Sequence, residues 1–120
     1  MKALKTLNIS ENQLSTLPHI DLESVEAINI QKNKISDLSS FATSILPKLM
    51  KLDLAFNSLK SFPSMKLESL VYLYLSNNEI NSLEAFSKGE FPDLEELYLS
   101  SNNLKDLSVL KLNRLMYVDL

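Results

Sequence analysis

The sequence predicts an α/β solenoid, a stack of similar coils in which each coil contributes one short strand to a parallel sheet. Two observations predict this fold. A pattern of apolar residues and one asparagine, L-x-x-L-x-L-x-x-N-x-L, recurs along nearly the whole chain, and its copies begin at an almost constant interval. Because a single copy cannot bury its apolar side alone, neighbouring copies must stack into a continuous core.

The pattern occurs in five complete copies and one partial copy, and these form a single domain over residues 1–120. Successive copies are separated alternately by 21 and 24 residues, which indicates a two-repeat unit that is itself repeated after 45 residues. The complete copies begin at Leu4, Val25, Leu49, Leu70 and Leu94, and the partial sixth begins at Leu115.

In this pattern and spacing the sequence resembles the leucine-rich repeat family, over essentially its whole length. The resemblance implies a right-handed solenoid with parallel strands on the concave face. It also implies short 3₁₀, helical or extended returns on the convex face, and a role as a protein-binding scaffold. The short repeats with Asn-x-Ile or Asn-x-Leu look like the cytosolic, phosphatase-regulator-like class of this family.

Each repeat divides into a strand and a return segment. Alternating apolar residues such as Leu73 and Leu75 predict a short strand with one buried face. The returns of the 21-residue repeats carry Pro18 and Pro63, which suit extended or 3₁₀ structure.

The longer, 24-residue repeats have room for a helical turn in the return. We expect one or two turns within residues 38–45 and 83–88. Gly89 is typical of a helix C-terminus, while Pro47 and Pro92 prevent a helix from continuing into the next strand.

One asparagine follows each complete strand, where the chain turns inward and backbone groups lose their sheet partners. A side-chain amide can both donate and accept hydrogen bonds, so it can satisfy these groups inside the core. We therefore interpret this asparagine ladder as structural. Its members are Asn12, Asn33, Asn57, Asn78 and Asn102.

The candidate binding surface lies on the other side of the strands. Counting the first residue of each repeat as position one, the exposed inner face comprises positions three, five, seven and eight. All four tyrosines fall there, and tyrosine combines a large apolar area with a hydrogen-bonding tip. Tyrosine is also a good strand former, so Tyr74 and Tyr98 could simply stack across adjacent strands. The residues predicted to contact a partner are Asp53, Phe56, Tyr72, Tyr74, Glu96, Tyr98, Tyr117 and Asp119.

Composition disfavours catalysis and several kinds of ligand. The net charge of -3 argues against nucleic-acid and anionic-membrane surfaces, and the absence of Cys excludes thiolate metal sites. The single histidine, His19, has no acidic or serine partner at a fixed spacing, and Glu95 and Glu96 should point to opposite faces. We therefore expect no enzyme activity, no catalytic residue, no metal and no cofactor.

The expected partner is a protein with basic residues around an apolar patch, because acidic groups border the tyrosines. The alternative is a structural piece of a larger solenoid or assembly whose open ends make the functional contacts, including end-to-end self-association. Leu115, Val118 and Leu120 indicate such an open end. With neither an apolar membrane span nor a signal segment in the sequence, we expect a cytoplasmic location.

Overall fold

The computed structural model describes residues 3–88, 91–106 and 117–120, and six three-residue strands in this part of the chain form one sheet. Each strand pairs in parallel with the next strand in sequence, in the order β1-β2-β3-β4-β5-β6. This confirms the predicted solenoid of stacked coils. The strands are β1 (Thr6–Asn8), β2 (Ala27–Asn29), β3 (Lys51–Asp53), β4 (Tyr72–Tyr74), β5 (Glu96–Tyr98) and β6 (Tyr117–Asp119).

The register of the sheet follows the repeat pattern. Position three of each coil faces position three of the next coil, as Tyr72 faces Glu96. In the first five strands the middle residue, position four, points into the core, and Leu52, Leu73 and Leu97 are fully buried there. Because side chains alternate along a strand, positions three and five then project from the opposite side of the sheet.

The return segments contain little helix. A 3₁₀ turn covers Phe41–Thr43 and a helix, α1, covers Ala85–Lys88, each inside a segment for which helical turns are predicted. No helix in the described ranges is long enough to cross a membrane. The returns that carry Pro18 and Pro63 contain isolated β-bridges and no helix, which agrees with the extended rather than the 3₁₀ alternative. Gly89 lies outside the described residues.

The core runs continuously between the sheet and the returns. It is built from the repeat leucines and isoleucines together with phenylalanines of the returns. The rings of Phe62, Phe86 and Phe91 form one cluster, with centroids 5.4 to 5.9 Å apart. Phe62 belongs to the third coil and the other two rings to the fourth, so this cluster joins neighbouring coils.

The amides of the asparagine ladder connect neighbouring coils. Asn78 shows the arrangement: its Nδ2 donates to the carbonyl oxygens of Leu75 and, in the preceding coil, Leu54, both at 3.0 Å. Its Oδ1 accepts a hydrogen bond from the backbone N–H of Leu59, also at 3.0 Å. Asn33, Asn57 and Asn102 repeat this set of contacts with the preceding coil. Asn12, in the first coil, is exposed and donates only within its own coil.

The residue before each ladder asparagine, position eight, adopts a left-handed backbone conformation, with φ between 57° and 59°. None of these residues is glycine, and for most residue types this conformation costs about 1 kcal/mol or more. It aims the backbone N–H at the next coil, as Phe56 N donates to Ser76 O at 3.0 Å. The residues are Glu11, Lys32, Phe56, Asn77 and Ser101.

The predicted open end at the last coil lies partly outside the residues that the structure describes. Leu115 and the side chain of Val118 lie outside the described residues. Leu120 is exposed, and so is Leu14 in the first coil. Apolar side chains are therefore accessible in both terminal coils.

Candidate functional site

We define the open face as positions three and five of the six strands, which lie on the side of the sheet away from the core. Its first half carries small and polar residues, and its second half carries all four tyrosines. Position three is occupied by Thr6, Ala27, Lys51, Tyr72, Glu96 and Tyr117; position five is occupied by Asn8, Asn29, Asp53, Tyr74, Tyr98 and Asp119.

Three of the tyrosines form a continuous row of rings, which we call the tyrosine row. Tyr74 and Tyr98 stack face to face, with centroids 4.5 Å apart and an interplanar angle of 5°. Tyr117 packs on Tyr98 at 5.4 Å and is tilted by 51°. At the other end, the Lys51 ammonium lies 5.3 Å from the centroid of the Tyr74 ring, a cation–π geometry. The row therefore spans the last three strands, β4 to β6, and Lys51 of β3 covers its first ring.

The other two predicted aromatic residues do not join the row. In the described part of the chain, no ring contact links Tyr72 or Phe56 to the three stacked tyrosines. Tyr72 is half-buried between Lys51 and Glu96 in the register of the sheet. Phe56 is 49% exposed at the end of β3, so its ring is available to solvent.

In the first half of the open face, the polar side chains at position five form hydrogen bonds with their own backbone. The side-chain oxygens of Asn8, Asn29 and Asp53 each accept a hydrogen bond, at 3.0 Å, from the backbone N–H two residues later. Asp53 therefore stabilises the end of its own strand as well as bordering the tyrosines. Ala55, at position seven, is buried rather than exposed as predicted, because its small side chain sits where the chain turns inward.

Two of the phenols are held in their protonated form. Tyr98 donates its hydroxyl proton to the Glu96 carboxylate, and this hydrogen bond, then burial and the Glu96 charge, raises the pKa of Tyr98. Burial, followed by the charges of Glu96 and Asp53, raises the pKa of Tyr74. Tyr74 and Tyr98 are therefore uncharged around neutral pH.

We expect an ultraviolet titration of the folded protein to show Tyr74 and Tyr98 ionising above the ordinary tyrosine pKa of 10.0. Because the pKa is raised by folding, these phenols stabilise the fold below pH 10, and that contribution is lost as the pH rises further. Glu96→Gln removes the neighbouring charge and should lower the pKa of Tyr98. Glu79→Gln, an exposed control outside the open face, should not. An unchanged titration of Glu96→Gln would contradict the assignment.

An open depression of about 390 Å³ lies beside the end of the row, lined by Glu95, Glu96, Tyr98 and Tyr117. Glu95 and Glu96 both border it, although adjacent strand residues were expected to diverge. The reason is that Glu95 precedes β5, where regular alternation does not hold. The backbone N–H groups of both residues donate to the same carbonyl oxygen, that of Val71, each at 3.0 Å.

A second polar cluster, on the returns, was missed by the sequence prediction for His19. Its Nε2 lies 2.8 Å from Asp21 Oδ1, and its Nδ1 lies 2.7 Å from Thr43 Oγ1 in the next coil. Asp21 also accepts a hydrogen bond from Ile45 N at 2.9 Å. The partners were overlooked because one is only two residues away and the other belongs to a different repeat.

This cluster joins the first coil, which carries His19 and Asp21, to the second coil, which carries Thr43 and Ile45. The Thr43 hydroxyl donates to Ser40 O at 2.7 Å, so its oxygen accepts from the histidine ring. Both ring nitrogens of His19 therefore lie within hydrogen-bond distance of a side-chain oxygen. Within the described ranges, no group of three or more acidic or histidine side chains could hold a metal ion.

We expect Asp21→Asn to lower the melting temperature more at pH 6 than at pH 2. The hydrogen bond from His19, then that from Ile45 N, lowers the pKa of Asp21 below the ordinary value of 3.8. A depressed pKa stabilises the fold above pH 3.8, and the effect is lost as the pH falls through the lower folded-state value. Thermal melts at both pH values test this. Glu23→Gln is the exposed control, and a destabilisation that is equally large at pH 6 and pH 2 would contradict the interpretation.

Three family models match consecutive parts of the chain. A model described as leucine rich repeat matches residues 23–80, a two-copy leucine rich repeat model matches residues 68–112, and a third leucine rich repeat model matches residues 3–25. These models describe the family in general and do not support the phosphatase-regulator-like subclass. No curated protein matches the chain.

Solved structures similar to the chain include two internalins of Listeria monocytogenes. Internalin InlF is 19% identical with a TM-score of 0.58, and the match covers 98% of this chain and 48% of that one. Internalin C2 is 18% identical with a TM-score of 0.39, covering 94% of this chain and 79% of that one. The chain thus spans about half the length of InlF, and that likeness concerns the fold alone. Because the matched family models together extend from residue 3 to residue 112, the chain belongs to the leucine-rich repeat family.

Proposed function

We propose that this chain is a non-enzymatic protein–protein interaction module that binds its partner on the concave, open face of the sheet. The observation that carries the proposal is the tyrosine row, an ordered and accessible aromatic surface. The residues proposed to contact the partner are Asp53, Phe56, Tyr72, Tyr74, Glu96, Tyr98, Tyr117 and Asp119.

The packing of the row supports a binding role. Tyr117 is 50% exposed, and Tyr74 and Tyr98 are half-buried, so the row offers aromatic area without being part of the core. Stacking and the hydrogen bond to Glu96 already restrict the rings. Binding would therefore lose little side-chain entropy, which for each freely rotating side chain costs about 0.5–1.5 kcal/mol.

The charges around the row indicate the chemistry of the partner. Glu96 and the half-buried Asp53 and Asp119 border it, and the whole chain carries a net charge of -3. We therefore propose a partner with lysine or arginine around an apolar patch, whose association weakens as salt is added.

The competing explanation is that the stacked rings only stabilise the sheet, since an aromatic pair contributes about 0.5–1.5 kcal/mol beyond its burial. The double variant Tyr74→Ala/Tyr98→Ala separates the two explanations. In affinity capture from the native lysate, we expect it to lose partners that the wild type retains, while circular dichroism still shows a folded chain. Thr6→Ala/Gln31→Ala, on the polar half of the same side, should retain them. Equal capture by the tyrosine variant would overturn the proposal.

A structural role in a larger assembly is the second candidate function, because apolar side chains are accessible in both terminal coils. Leu14 is 37% exposed and Leu120 is 59% exposed. If the terminal coils make the functional contacts, light scattering should show a molar mass that rises with protein concentration. The molar mass should rise equally with concentration in Tyr74→Ala/Tyr98→Ala.

The cytoplasmic location and the phosphatase-regulator-like subclass are part of the proposal and rest on sequence features alone. The chain lacks cysteine, as suits a reducing compartment, and its repeats are short. Microscopy of the tagged protein in its native cell tests the location.

A further inference from the structure

We infer that the depression at the end of the tyrosine row receives an arginine side chain of the partner. The inference rests on the proposed function, because it names the group that docks on that same face. It is carried by the aromatic surface of Tyr98 and Tyr117 together with the charge of the groups that surround it.

The two ends of the tyrosine row differ in how their rings are covered. At the first end, the Lys51 ammonium lies 5.3 Å from the Tyr74 ring, so this protein already places one cation on the row. At the other end, Tyr117 is tilted by 51° against Tyr98 and stays 50% exposed. In the described part of the chain, no lysine or arginine lies over either of these two rings. A planar guanidinium group could stack on this accessible aromatic surface.

The wall of the depression supplies the complementary charge. Its described lining contains two carboxylates, Glu95 and Glu96, and no basic side chain. One oxygen of Glu96 accepts from the Tyr98 hydroxyl, while its other oxygen and both oxygens of Glu95 accept no hydrogen bond from the described residues. Both glutamates are half-buried, so an ion pair there is less screened than on an open surface.

Arginine fits this combination better than lysine does. Its guanidinium is planar and offers five N–H donors, so it can stack on tyrosine and bind carboxylates in the same pose. An ammonium group has no flat face and is more strongly hydrated. We therefore commit to arginine within a peptide segment that also carries apolar residues for the rest of the row.

The test uses random twelve-residue peptides displayed on phage and selected on the full chain. We expect the peptides that bind to be enriched in arginine beside apolar residues. Synthetic copies of the best binders, measured by fluorescence polarisation, should lose at least about tenfold in affinity when the arginine becomes citrulline, which keeps its shape without its charge. On Glu95→Gln/Glu96→Gln the same replacement should change the affinity by less than threefold.

The controls separate this inference from the proposed function. Glu79→Gln/Glu84→Gln removes two exposed carboxylates elsewhere and should bind like the wild type, which excludes a mere change in net charge. If binding needs Tyr74 and Tyr98 but not the arginine, the inference is overturned and the proposed function stands. If binding survives Tyr74→Ala/Tyr98→Ala undiminished, the proposed function fails as well. A selection that yields no binder, or binders without arginine, also overturns the inference.

Discussion

Phe62→Ala should lower the free energy of unfolding by about 3–5 kcal/mol, the usual cost of removing a buried phenylalanine. Phe62 is only 2% exposed, and its ring lies 5.9 Å from those of both Phe86 and Phe91. Alanine leaves a cavity between the third and fourth coils that neither the sheet nor the short returns can close. The loss is a large fraction of the 5–15 kcal/mol that stabilises a typical domain.

Urea unfolding followed by circular dichroism measures this effect as a lower midpoint. Phe56→Ala is the matched control, because Phe56 is 49% exposed and contributes little to the core. We expect the control to change stability by no more than about 0.5 kcal/mol. Equal effects of the two substitutions would show that the phenylalanine cluster does not hold these coils together.

Asn78→Ala should destabilise the fold by about 1–3 kcal/mol, the usual cost of one unsatisfied buried polar group, because one backbone N–H loses its partner and two carbonyl oxygens each lose one of two hydrogen bonds. The N–H that loses its acceptor is that of Leu59. The carbonyl oxygens of Leu54 and Leu75 lose the Asn78 donor but keep those of Asn57 and Asn102. Asn78 is 8% exposed, so water reaches them poorly.

Asn12→Ala tests whether position in the ladder, rather than the residue type, sets this cost. Asn12 is exposed and donates only to Ile9 O and Ser10 O in its own coil. We expect its replacement to lower stability by less than about 1 kcal/mol in the same urea experiment. A loss as large as that of Asn78→Ala would mean that contacts between coils are not what the ladder contributes.

Much of the fold was predictable from the repeat pattern, because the pattern is local and occurs five times. The alternation around Leu73 predicts a strand, which the structure has, and Pro18 suits an extended or 3₁₀ return, of which the structure shows a return without helix. The left-handed residues were not predictable from their types, because only Asn77 is of a kind enriched in that conformation. Stacking imposes the conformation on Phe56, whose own preference opposes it.

The candidate site was predictable in outline only. Alternation puts Tyr74 and Tyr98 on one face, and the constant register sets them side by side. The repeat pattern cannot show that Tyr98 donates a hydrogen bond to Glu96 and packs against Tyr117. Nor can it show that Tyr72 and Phe56 lie apart from the tyrosine row.

Periodic spacing of apolar residues was enough to establish the stacked coils, the order of the strands and the face on which the tyrosines lie, since each depends on neighbours along the chain. Contacts between coils established the rest, including the joining of His19 to Asp21 and Thr43 and the depression bordered by both glutamates. Such contacts depend on ring tilts, rotamers and departures from regular alternation, which arise only when separate repeats pack together.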